Sequence, residues 1–155
     1  MLDDVDVEAA ASAGAWGSFL HQGQVCMSAG RHLVHESIAD AYIESLVRRA
    51  RALSVGDPFK GNFHLGPIIN ERQAANVDRI VEEPAGKGAK VLAGGTRDGL
   101  FFKPTVMVDV APGMPAFEEE IFGPVAAVTV FKNDYDAVTL AKWVTSRDDL
   151  PAYPF

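Results

Sequence analysis

Between residues 4 and 20 the apolar side chains Val7, Ala10, Ala11, Trp16, Phe19 and Leu20 recur near the 3.6-residue period of a helix, and Gly23 closes the segment. Arg31 to His35 reads as a short strand around Leu33 and Val34. Ser37 is then placed to cap a helix through Leu53, with Ile38, Ala41, Tyr42, Leu46, Ala50 and Leu53 on one face. Arg48, Arg49 and Arg51 fall at its end, where the negative pole of the helix dipole favours cations. Residues 54–69 are a loop rich in Gly and Pro. Asn70 with Gln73 has capping-box spacing and opens a helix through Val77, Ile80 and Val81, which Pro84 is predicted to end. Lys90 to Ala93, Phe101 to Val110 and Val125 to Phe131 are predicted strands, with a turn at Gly94-Gly95 and a last helix over 134–144. Strands and helices alternate, which predicts an α/β fold: a layered sheet with some parallel pairing, flanked by helices.

Composition narrows the function classes. With 155 residues, 48% of them hydrophobic, the chain can bury one ordinary core. A formal net charge of -7 opposes nucleic acid and anionic membrane surfaces, whose phosphates such a surface repels. One cysteine allows no internal disulfide, which fits a reducing compartment. The acidic start Met1-Leu2-Asp3-Asp4 is unlike a signal peptide, and the longest apolar run, Pro124 to Phe131, is far shorter than the roughly 20 residues of a membrane helix. The expectation is a soluble, cytoplasmic protein whose partner is a small molecule.

Cys26 lies in Gly23-Gln24-Val25-Cys26-Met27-Ser28-Ala29-Gly30-Arg31, with small residues around it just after a helix. Small flanks let a carbonyl approach the sulfur, and a turn can aim backbone N–H groups at a developing oxyanion. The same residue alone also reads as an inert buried thiol. Glu118-Glu119-Glu120 before Ile121-Phe122-Gly123-Pro124 reads either as a solvated helix end or as a carboxylate binding ligand hydroxyls beside an aromatic wall. The four histidines have no metal-ligand spacing. His32 and His35 read as strand-edge residues, and His21, five residues before Cys26, reads first as structural and otherwise as a residue near enough to influence the thiol. No G-x-G-x-x-G and no Walker motif occurs.

Taken together, the segments resemble the aldehyde dehydrogenase superfamily. Gln22-Gly23-Gln24-Val25-Cys26 with Gly30-Arg31 is similar to its active-site cysteine signature, and Glu119-Glu120-Ile121-Phe122-Gly123-Pro124-Val125 to its second hallmark. Val55-Gly56-Asp57-Pro58, Leu65-Gly66-Pro67-Ile68, Lys87-Gly88-Ala89-Lys90 and Pro104-Thr105-Val106 follow the family's order between them. The resemblance implies a partial aldehyde dehydrogenase-like catalytic domain over residues 1–143 that oxidises an aldehyde to a carboxylate with NAD or NADP. Cys26 would be the nucleophile, forming a thiohemiacetal and then a thioester. Glu120 would hold the nicotinamide ribose hydroxyls, Phe122 would position the nicotinamide side, and Gln73 would offer a further ribose contact.

The family's general-base glutamate belongs to an E-L-G-G-K motif upstream of the segment matching Met1. Its coenzyme-binding domain and oxyanion-hole asparagine also lie before that point. His21 replaces the usual asparagine before Q-G-Q, and residues 144–155 match none of the family's continuation and read as a loose tail. A truncated or frameshifted gene is the expectation drawn from both ends. The isolated chain is expected to be inactive. The alternative is a non-catalytic remnant or interaction module, and a thiol-dependent esterase ranks last because the base is missing. The family is usually homo-oligomeric, which leaves the assembly of this chain open.

Overall fold

In a computed structural model, residues 1–142 are described; the 144–155 tail and the last two residues of the predicted 134–144 helix lie outside them. The elements in chain order are α1 (Val7–Phe19), a 3-10 turn (Leu20–Gly23), β1 (Arg31–His35), α2 (Glu36–Ala52), α3 (Glu71–Ala85), β2 (Lys90–Ala93), β3 (Arg97–Asp98), β4 (Phe101–Phe102), β5 (Thr105–Val108), α4 (Pro115–Glu118), β6 (Val125–Phe131) and α5 (Asp134–Lys142). Four strands form one sheet in the order β1-β6-β5-β2. The β1–β6 and β6–β5 pairs are parallel, and β2 joins β5 antiparallel.

Both faces of this sheet are covered, which explains why β6 reads Val-Ala-Ala-Val-Thr-Val-Phe with hardly a polar break. Alternate side chains go to opposite layers. Val106, Val108, Ala126 and Val128 pack with Ala11, Phe19, Tyr42 and Leu46 of α1 and α2. Met107, Val125 and Ala127 pack with Val77, Ile80 and Phe117 of α3 and α4. The alanines at 126 and 127 keep the middle of the central strand thin, so helices approach from either side.

Local chemistry moved several boundaries. Helix α1 starts at Val7 because the Asp6 carboxylate accepts from Ala9 N at 3.0 Å, making it the cap. Helix α2 starts at Glu36, before Ser37: His35 is its cap, with Nδ1 accepting from Ser37 N at 3.2 Å. Asn70 caps α3 as the spacing predicts, accepting from Gln73 N at 2.9 Å. Pro84 sits inside the last turn of α3, which ends one residue later at Ala85, close to the predicted break. The predicted strand 101–110 is two strands. Phe101–Phe102 pairs with β3 in a small hairpin, and Lys103-Pro104 intervenes before β5 because proline has no N–H for a ladder.

Candidate functional site

The Cys26 loop leaves α1 through three consecutive left-handed residues, His21 (φ 49), Gln22 (φ 59) and Gly23 (φ 65). For the first two this conformation carries real strain, which tertiary contacts must offset. Each residue of Gln22-Gly23-Gln24 supplies one such contact. With its amide oriented to satisfy both neighbours, Gln22 accepts from Gly66 N and donates to His21 O. Gln24 Oε1 accepts from Ile69 N at 2.9 Å. Gly23 has no room for a side chain: a Cβ there would strike the Gly123 carbonyl and come within 2.9 Å of Ser18 O. The two motifs therefore meet backbone to backbone at Gly23 and Gly123.

Beyond that contact the chain turns tightly, Ser28 N donating to Val25 O at 2.9 Å, with Cys26 and Met27 exposed at the corner. The Cys26 N–H has no partner among the described residues. Ala29 then docks onto α1 through Ala29 N to Gly17 O at 2.9 Å, and Ser18 Oγ donates to Ala29 O at 2.7 Å. Behind this clamp lies a buried network that the sequence reading missed. His32 Nε2 is 2.7 Å from Ser18 Oγ and 3.1 Å from Ala29 O, while Nδ1 is 2.6 Å from the Tyr42 hydroxyl. His32 is 2% exposed, so it is a core residue and not the edge residue its neighbourhood suggested. The available signal was strand alternation, which puts position 32 on the same face as Val34. The His21 side chain has no hydrogen bond or ion pair among the described residues.

Burial pushes the His32 pKa down to about 4, from an ordinary 6.5. A histidine whose folded pKa is depressed contributes stability above its unfolded pKa, and loses it as the pH falls towards the folded value. Stability should drop by about 3 kcal/mol between pH 6.5 and 4 from this residue. Urea unfolding at pH 7, 5.5 and 4.5 tests this. His32→Gln should flatten the slope, and equal slopes in both proteins would rule out His32 as the source.

The second motif is held from behind. Phe122 takes a left-handed conformation (φ 50), and Gly123 must lack a side chain because a Cβ would lie 2.6 Å from Val77 Cγ2. Gln73 Nε2 donates to both Ile121 O and Phe122 O at 3.0 Å, clasping the turn to α3. Its side chain thus serves the turn, and it is not among the residues that line the cavity. The acidic run divides by role. Glu118 accepts from Gly113 N at 2.7 Å, and Glu119 pairs with Arg79, 3.1 Å from Nη1. Glu120 is exposed and has no protein partner among the described residues.

Cys26, Glu120 and Phe122 line one cavity of about 230 Å³. Ser18, Ser28 and Arg31 contribute to the same wall, with the Arg31 guanidinium 5.1 Å from the centre of the Phe117 ring. Here a thiol stands at the rim with an unpaired backbone donor. The same cavity is lined by the Glu120 carboxylate, which has no protein partner among the described residues, and by the Phe122 ring, which is 37% exposed. That set can attack a carbonyl, hold its oxygen and bind the hydroxyls and flat face of a second molecule. Among the described residues no group of three or more His, Cys, Asp or Glu is placed to hold a metal ion. No helix among them is long and apolar enough to cross a membrane.

The aldehyde dehydrogenase family model matches residues 1–144. Benzaldehyde dehydrogenase from Pseudomonas putida is 53% identical over 141 residues, covering 91% of this chain and 29% of that enzyme. Vanillin dehydrogenase from Amycolatopsis is 48% identical over the same shares. The crystal structure of an NAD-dependent aldehyde dehydrogenase from Sinorhizobium meliloti superposes with a TM-score of 0.85 and 40% identity, over 90% of this chain and 28% of that one. Betaine aldehyde dehydrogenase from Staphylococcus aureus, solved in complex with NAD+, matches with a TM-score of 0.84 at 33% identity, over 90% of this chain and 29% of that one. The chain belongs to the aldehyde dehydrogenase family. It spans about 29% of the length of these relatives.

Proposed function

We propose that this segment carries the nucleophile and part of the coenzyme site of an enzyme that oxidises aromatic aldehydes to carboxylates with NAD or NADP. The observation that carries this reading is the convergence of Cys26, Glu120 and Phe122 on one cavity. The aromatic class comes from the relatives, which include enzymes named for benzaldehyde, vanillin and salicylaldehyde.

The Cys26 thiolate attacks the aldehyde carbon, forming a C–S bond and placing the electron pair on the carbonyl oxygen. The unpaired Cys26 N–H lies next to that oxyanion and stabilises it. Loss of hydride from the same carbon leaves a thioester, and a bound nicotinamide coenzyme supplies the hydride acceptor. Water, giving up its protons to solvent, then cleaves the C–S bond and releases carboxylate and thiolate. The residues fit such a coenzyme: Glu120 has an unpaired carboxylate able to accept from two adjacent hydroxyls, and the Phe122 ring offers an apolar face. Gln73, which the resemblance offers as a ribose contact, supports binding by fixing the Phe122 turn.

A chimera tests this: residues 1–142 replace the matching part of the Pseudomonas putida benzaldehyde dehydrogenase. It should oxidise benzaldehyde, whereas the isolated 155-residue chain should show no turnover. A folded chimera inactive with every aldehyde and both coenzymes would overturn the reading in favour of a non-catalytic interaction module. In the active chimera Gln73→Ala should raise the coenzyme KM about tenfold, since two hydrogen bonds to the turn are lost, while kcat changes less. An unchanged KM would separate Gln73 from coenzyme binding.

A further inference from the structure

The buried Tyr42–His32–Ser18 chain has an unusual direction. Tyr42 and His32 are essentially inaccessible, and Ser18 is 1% exposed, yet Ser18 also lines the cavity of Cys26. The hydrogens can be assigned from the partners. Ser18 has one hydroxyl hydrogen, and it donates to Ala29 O at 2.7 Å. Its oxygen must then accept from His32 Nε2–H, which also faces Ala29 O at 3.1 Å. That leaves Nδ1 as the acceptor for the Tyr42 hydroxyl at 2.6 Å. The chain of donors thus runs from Tyr42 through His32 and Ser18 and ends on one backbone carbonyl, that of Ala29, three residues after Cys26. The arrangement requires a neutral imidazole, which burial favours. It also requires Gly14, because a Cβ on α1 at that point would strike the Tyr42 hydroxyl and lie 3.1 Å from His32 Cε1.

The Cys26 loop is therefore fixed at two points, Gly23 against Gly123 before the thiol and Ala29 on α1 after it. We propose that His32, oriented by Tyr42, is a positioning residue for the nucleophile: its Nε2–H, with Ser18, locks the Ala29 carbonyl and so holds Cys26 at the rim of the cavity. This rests on the reading of Cys26 as the nucleophile.

The two ring nitrogens can be tested separately in the 155-residue chain. A glutamine at position 32 can keep a donor where Nε2 lies, and an asparagine can only keep a partner for Tyr42. His32→Asn and Ser18→Ala should speed exchange of the Ala29 amide hydrogen about tenfold, and slow iodoacetamide alkylation of Cys26 by a similar factor. Cys26 is the sole cysteine, so the alkylation needs no site assignment. His32→Gln should stay close to wild type in both measurements. If His32→Asn and His32→Gln behave alike in either measurement, whether both are normal or both altered, the proposal fails. Should His32→Asn not fold, Ser18→Ala decides, and wild-type values there overturn it. Neither readout uses coenzyme or aldehyde oxidation, so an inactive chimera would count against the enzymatic reading and not against the clamp.

Discussion

In the chimeric enzyme, Cys26→Ala is expected to lower kcat/KM for benzaldehyde by about 10⁴-fold or more, the scale seen when a covalent nucleophile is removed. The size follows from the proposed pathway, in which the side chain makes the bond that converts aldehyde into thiohemiacetal and thioester, and no other thiol exists in residues 1–155. Coenzyme binding should survive, since Glu120 and Phe122 stand on a different segment and keep their supports from Gln73 and Val77. Rapid-quench mass spectrometry should show an acylated chain in the parent chimera and none in the variant. Turnover that persists without the thiol would remove Cys26 from the chemistry altogether.

The second large effect belongs to a residue with no side chain. Gly23→Ala is expected to cost about 3 kcal/mol or more, combining left-handed strain with an overpacked contact. Its Cβ would meet backbone on two sides, the Gly123 carbonyl and Ser18 O, and backbone cannot rotate aside as a flexible side chain does. Gly99→Ala is the matched control. Gly99 also has a positive φ (54) but nothing lies within 4 Å of its Cβ position, so only the conformational cost of about 1 kcal/mol applies. Urea denaturation of both variants gives the comparison, and equal losses would mean that the Gly23–Gly123 contact is unimportant. Because this contact joins the two motifs, Gly23→Ala should also reduce activity in the chimera beyond its effect on stability.

Much of the fold could be read along the chain. The apolar periods placed every major helix within a few residues, and the continuous apolar run at 125–131 marked the central strand because both its faces are covered. Boundaries shifted where a side chain competed for a backbone N–H, as Asp6 does for α1 and His35 for α2. The strand predicted over 101–110 divided because periodicity does not register the missing N–H of Pro104. The parallel pairing of β1 with β6 also has no local signature, since Arg31–His35 and Val125–Phe131 lie far apart in the chain and meet only on folding.

Within the site, residue types alone limit the chemistry: one thiol among small residues, and an acidic aromatic turn carrying Glu120 and Phe122. Which of these groups are available depends on how distant segments pack. Three adjacent glutamates look equivalent in the sequence, but Gly113 and Arg79 occupy Glu118 and Glu119 and leave Glu120 open. His32 reads as a strand-edge residue, but packing places it at 2% exposure between Ser18 and Tyr42. The physical reason is common to both cases. Residue type sets what a group can donate, accept or attack, whereas burial and partners are properties of segments far apart in the chain, and no local pattern encodes them.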